Sequence, residues 1–364
     1  MSFADFHGNP EVVRRLREML KQDRFPHAVI LSGPEGAGKY TLALKVARAM
    51  NCLNPLQSDG LPDYCGSCSN CRRIGESEDL DARCAEAVEV REGMRDTDKR
   101  EARIFVQTHP DVMVIPPDPP QMMIKVDQVR HVIGTVQYKP QEARRRVFIF
   151  TTSALMKEAA NSLLKILEEP PDFATIFLLA RNSGELLPTI RSRCVAFTLA
   201  QLSIQEIEQY LAQNRPEWND RQRQLAARTS GGAVGKARSV DLEAYVMSRK
   251  DALALLHSAT QSDDHTNLFR TTETYRAGTE GREKTDQLVA ALYSLLRDLL
   301  ALLSNTPELV RNTDIISELK TLASNINFRW IGDASRQLGQ FQNGMRRNVL
   351  RPLALDAFAL SLER

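Results

Sequence analysis

Seven residues, Gly33-Pro34-Glu35-Gly36-Ala37-Gly38-Lys39, constrain this chain more than any others. They follow a short apolar run, His27 to Leu31, and open a stretch with helical spacing that reaches Asn51. A glycine-rich loop between a strand and a helix lets successive backbone N–H groups and the helix N-terminus cradle phosphate. Gly33, Gly36 and Gly38 would give the loop its close backbone, and Lys39 would reach the outer phosphates. The next position ordinarily carries the Ser or Thr hydroxyl that holds Mg²⁺, but here it is Tyr40. Thr41 is a poor substitute, since one helical step turns it about 100° away. The loop is compatible with bound ATP or ADP, and equally with a phosphate-loop scaffold kept for its shape.

The rest of the chain divides by its periodicity. Asp111–Ile115, Arg146–Phe150 and Thr175–Ala180 read as buried strands, alternating with helical patterns at 10–22, 124–136 and 153–169. Such alternation predicts an α/β domain with a parallel sheet over residues 1–200. Within it, 52–71 form a cysteine module, and 74–107 a charge-dense, solvated and helical insertion. After Leu199 no strand pattern is evident. Ser203-Ile204-Gln205-Glu206 forms a capping box, opening a small helical domain over 201–242. An all-helical domain over 243–364 carries apolar stripes at Leu288–Leu303 and Leu350–Leu362. Those stripes fit subunit contacts or a self-contained core.

With 42% hydrophobic and 26% charged residues, 364 residues can bury two or three cores. Forty-eight Lys+Arg against 46 Asp+Glu leave a net charge of +2, which argues against strong binding to nucleic acid by this chain alone. The longest apolar stretch is broken by Arg297 and Asp298, and no signal-like segment opens the sequence, so a cytoplasmic protein without membrane association is expected.

Two further patterns carry chemistry. The apolar strand Val147–Phe150 ends in Thr151-Thr152, where phosphoryl transfer needs acidic residues to order Mg²⁺ and the attacking water. Tyr40 and Thr151-Thr152 fail together, so hydrolysis by this chain alone is not expected; a motor-type ATPase would need Asp127 or another acid as a replacement. Cys65, Cys68 and Cys71 lie at x-x spacing, with Cys52 upstream across twelve residues, and supply four thiolates for a closed, structural Zn²⁺ site. Cys84 and Cys194 fall outside this set and read as ordinary buried cysteines. In Leu187–Cys194, Arg193 follows a strand near the domain edge, and reads either as a surface salt bridge or as a charge presented to a neighbouring subunit.

Taken in order, the phosphate loop, the zinc module, Ala160-Asn161-Ser162-Leu163-Leu164-Lys165-Ile166-Leu167-Glu168-Glu169-Pro170-Pro171 and Ser192-Arg193-Cys194 resemble a bacterial DNA polymerase III clamp-loader subunit of the AAA+ family. The likeness covers about residues 1–240 and continues weakly to Asn348–Leu355, which is similar to the last helix of the family's collar. It implies a P-loop domain, a helical lid and a collar that assembles a ring. Partners implied are the gamma/tau motor subunits and the delta subunit, with the sliding clamp and primed DNA reached through the complex. Motors of the family carry Ser or Thr after the loop lysine, Asp-Glu on the following strand, and a lid arginine where this chain has Gly235. Loss of all three beside an intact Ser192-Arg193-Cys194 is the delta-prime pattern, and implies that Arg193 completes a neighbour's ATP site. The alternatives are an ATP-hydrolysing gamma/tau-like motor, and an AAA+-derived interaction protein outside replication.

Overall fold

A computed structural model describes residues 2–261, 272–275, 279–345 and 351–362. The chain forms two units, one of residues 1–203 with 233–235, the other of residues 204–232 with 236–364.

The first unit is built on a six-stranded sheet. In chain order its strands are β1 (Ala28–Ser32), β4 (Val106–His109), β5 (Val112–Ile115), β6 (Arg146–Phe150), β7 (Ala174–Ala180) and β8 (Val195–Thr198). They are arranged β4-β5-β6-β7-β1-β8, parallel throughout except for β4 against β5. The central strands are continuous apolar runs because both faces are covered. Alternation within each run sorts its side chains between two layers. Val29, Leu31, Val147 and Ile149 pack with α1 (Pro10–Lys21) and α2 (Lys39–Asn51). Ile30, Phe148, Phe150 and Leu178 pack with α6 (Val126–Val136) and α7 (Lys157–Glu168).

The parallel sheet matches expectation, and three elements depart from it. A hairpin of β2 (Leu56–Ser58) and β3 (Leu61–Asp63) lies inside the cysteine module. Strand β8 was not foreseen: it is short, lies at the sheet edge, and buries only Phe197. The 74–107 segment is helical over α4 (Leu80–Glu92) and α5 (Asp96–Glu101), after α3 (Ser69–Gly75) ends. It is not wholly solvated, however: Ser77, Ile104 and Val106 are buried, and Val106 begins β4. Arg91 of α4 fastens the segment to the fully buried Asp118 at 2.5 Å.

After α8 (Pro188–Arg191) come α9 (Ile204–Asn214), α10 (Asp220–Thr229), α11 (Val234–Ser239), α12 (Leu242–Gln261), α13 (Thr279–Leu303), α14 (Ile316–Ser324), α15 (Phe328–Met345) and α16 (Arg351–Leu360). No strand follows β8 among the described residues. In the second unit the Leu288–Leu303 stripe buries Leu288, Leu292, Leu295 and Leu299 against Leu319, Leu322, Trp330, Leu338 and Leu355. The buried Asp298 that interrupts this stripe accepts hydrogen bonds from the N–H groups of Arg311 and Asn312 and from the Asn312 amide, which satisfies its charge. Of the Asn348–Leu355 motif, 348–350 lie outside the described residues. No described helix is long and apolar enough to cross a membrane.

Candidate functional site

The glycines of the loop do distinct work. Gly38, with φ +85°, is the N-cap of α2, and its carbonyl accepts from Leu42 N at 2.8 Å. Gly33 has φ +144°, and a Cβ there would stand 2.6 Å from the Leu199 carbonyl oxygen, so only glycine fits between the loop and the residue after β8. The Gly36 carbonyl accepts from Gly235 N at 2.8 Å, and a Cβ on Gly235 would stand at the same distance from that oxygen. The Lys39 ammonium donates to the carbonyls of Gly33 and Pro34 at 2.7 Å each, which holds the lysine over the loop. Arg181, just beyond β7, pairs with Glu35 at 3.2 Å on the loop's exposed side.

The position that would hold Mg²⁺ is differently engaged. Tyr40 donates its hydroxyl to the Ser77 carbonyl at 2.6 Å, tying α2 to the segment after the cysteine module. Burial pushes this phenol well above its ordinary range. Thr41 is exposed. At the end of β6, Thr151 N donates to Ile115 O at 3.1 Å and the Thr152 hydroxyl accepts from Ala154 N at 3.1 Å, so both threonines shape the turn. Asp127 sits in the first turn of α6, paired with Arg103 at 2.7 Å and Arg130 at 3.3 Å. The Arg103 hydrogen bond holds its carboxyl below the usual range. Its charge is spoken for within the seam between α6 and the 74–107 segment.

The four cysteines converge, as their spacing implies: their sulfurs all lie within 4.8 Å of one another. The β2–β3 hairpin turns at Asp59 (φ +54°) and Gly60 (φ +71°) and brings Cys65 back to Cys52. Cys68 is the N-cap of α3, its sulfur accepting from Cys71 N. Further N–H groups, of Cys65 toward Cys52 and of Cys68 toward Cys65, lie at 3.3 Å from sulfur. Burial opposes ionisation of Cys65, but the N–H groups of Cys68 and Ser67 outweigh it and bring the thiol down to about 6. Sulfurs bound tetrahedrally at ~2.3 Å stand ~3.8 Å apart, so a small inward shift suits a metal ion. The set fits Zn²⁺ by chemistry and geometry. Arg17 of α1 anchors the hairpin by donating to the carbonyls of Ser58 and Pro62 at 2.6 and 3.0 Å.

Cys84 and Cys194 lie outside the cluster, yet neither is fully buried. Partial burial on α4 and beside α8 still raises both thiols, Cys194 to about 12. Arg193 stands just after α8, donating Nη1 to Thr189 O at 2.9 Å and Nη2 to Glu168 Oε1 at 2.8 Å. The sequence reading allowed a surface salt bridge for Arg193 without naming Glu168 as its partner, and it missed three other contacts: Tyr40 with Ser77, Gly235 with Gly36, and Arg181 with Glu35. Glu168 was in plain sight within the Ala160–Pro171 motif. The other three join residues far apart in the chain, or use backbone carbonyls that no side-chain pattern marks.

Comparison with known proteins places these features. Residues 8–203 match the family model described as DNA polymerase III, delta subunit. The delta' subunit of DNA polymerase III from Pseudomonas aeruginosa is 32% identical over 170 residues, 46% of this chain and 42% of the relative. The tau/gamma subunit from Haemophilus influenzae is 31% identical over 213 residues, 58% of this chain and 25% of the relative. The chain thus spans about a quarter to two-fifths of the length of these two curated relatives. Among solved structures, a gamma subunit-related protein from Thermotoga maritima covers 96% of this chain and 98% of its own, at 16% identity and a TM-score of 0.38.

Proposed function

Because this chain belongs to the DNA polymerase III delta-subunit family, we propose that it is a delta-prime-like, non-hydrolysing member of the clamp loader, which supplies Arg193 in trans to the ATP site of an adjacent motor subunit. The observation that carries this reading is the occupation of Tyr40. At the place where a motor needs an Mg²⁺-binding hydroxyl, the side chain is half-buried and its hydroxyl is spent on the Ser77 carbonyl. The Thr151-Thr152 pair supports it, since no carboxylate ends β6 to order Mg²⁺ or aim water. Gly235 supports it too, standing against the loop where a motor would carry a nucleotide-sensing arginine.

In this account the P-loop of an AAA+ domain serves as scaffold, with a loop that is compatible with ATP or ADP but does not turn it over. Cys52, Cys65, Cys68 and Cys71 hold a structural Zn²⁺ that fixes the module against α1 and α3. Residues 201–242 act as lid and 243–364 as collar, joining gamma/tau and delta subunits in the cytoplasm. The sliding clamp and primed DNA are reached through the complex, consistent with the small net charge. Arg193 would stabilise the charge that develops on the neighbour's transferring phosphoryl group, a term that depends on position and charge.

Similarity to a tau/gamma subunit favours one rival, a motor with rearranged metal ligands. Mg²⁺-dependent ATP hydrolysis by the isolated chain separates the two. The delta-prime reading expects no turnover above background, whereas sustained turnover abolished by Lys39→Ala would overturn it.

A further inference from the structure

We propose that Glu168 is the positioning residue for Arg193, holding the guanidinium at the angle from which it reaches a neighbour's phosphate; the inference rests on the trans-acting reading above. Two elements converge to make the clamp. Helix α7 ends at Glu168, and α8 delivers Thr189, Ser192 and Arg193 beside it. One terminal nitrogen of Arg193 donates to Thr189 O at 2.9 Å and lies 3.3 Å from Ser192 Oγ, while the other donates to Glu168 Oε1 at 2.8 Å. A guanidinium has five N–H donors in a rigid fork. These three contacts among the described residues therefore fix its plane and leave two donors for an incoming phosphate.

The placement of Glu168 is costly in other respects. A carboxylate in the last turn of a helix faces unpaired carbonyls and the negative end of the macrodipole. The pair itself is open to solvent, at 35% and 53% exposure, and an ion pair so exposed contributes little to stability. What it does supply is orientation. An arginine without anchors samples many rotamers, and phosphoryl-transfer catalysis depends on the placed charge.

The test uses the loader reconstituted with its ATP-hydrolysing subunits, reading kcat and KM for ATP alongside subunit stoichiometry. Glu168→Ala in this chain is expected to lower kcat about threefold to thirtyfold with KM unchanged, as a misplaced charge would. Glu168→Gln, which keeps an accepting oxygen at the same reach, should recover most of the loss. Glu168→Ala added to Arg193→Ala should lower kcat no further. An unchanged or raised kcat in Glu168→Ala, beside a loss in Arg193→Ala, would overturn the positioning role and leave the trans arginine standing. So would an additive loss in the double variant. If Arg193→Ala itself has no effect, the trans-acting reading fails, and the role of Glu168 falls with it.

Discussion

Tyr40 follows the loop lysine and commits its hydroxyl to a structural hydrogen bond. Its ring is packed against the sheet layer that α2 covers, and its hydroxyl satisfies a carbonyl 37 positions away. Tyr40→Phe removes that donor and should destabilise the chain by about 1 kcal/mol in denaturant unfolding. Tyr40→Ser should not create ATP turnover, because Thr151-Thr152 still lack the acids. Buried phenols also set a pH limit. Burial raises Tyr64 to about 12, against an ordinary value of 10.0. Between those values the folded state holds a proton that the unfolded chain has lost, so its contribution to stability is complete below pH 10 and fades as pH rises toward 12. The melting temperature should therefore fall more steeply above pH 10 in the native chain than in Tyr64→Phe. Equal slopes would show that Tyr64 does not titrate in this way.

Elements differ in how far sequence alone reveals them. Strands β1, β5, β6 and β7 were legible because a parallel strand covered on both faces must be apolar throughout. The hairpin of β2 and β3 was not legible, since its three-residue strands are largely open and held by Arg17. The cysteine module announced its ligands by spacing, and the fold brings all four together. The proposed metal site predicts one bound ion per native chain, with Cys68→Ser losing that ion and lowering the melting temperature by many degrees. An unchanged melt at full metal content would contradict that role. Gly235 gives a second test. Within a helix, Gly to Ala ordinarily favours folding by up to ~1 kcal/mol, yet here the new Cβ would press on Gly36 O at 2.8 Å. Gly235→Ala should accordingly destabilise the chain and speed hydrogen exchange at the Gly235 amide that Gly36 now accepts from. A stabilised variant with unchanged exchange would rule out the close approach.

At the scale of the whole molecule, the chain combines a phosphate-loop sheet domain with a helical unit whose leucine stripes form a core of their own. Part of every stripe is thereby accounted for without a partner, which the sequence alone left open. In the proposed reading the loop and the sheet serve as a scaffold, and the positions a motor would use for hydrolysis serve structure: Tyr40 donates to the Ser77 carbonyl and Thr151 N to the Ile115 carbonyl. The missing residue types were visible in the sequence, but the contacts made in their place were not: the partners of Tyr40, Gly235 and Arg193 are carbonyls and a carboxylate brought close only by folding. Arg193 stands beside α8, and in the proposed reading it is the residue through which this subunit acts on another. The direct measurement is DNA- and clamp-stimulated ATP hydrolysis by the reconstituted loader, comparing the native chain with Arg193→Ala in this subunit alone and with assembly verified. A loss on the order of tenfold or more is expected, as for a charge supplied to a phosphoryl-transfer transition state. Undiminished hydrolysis in a fully assembled complex would contradict the trans-acting arginine and leave the subunit a scaffold.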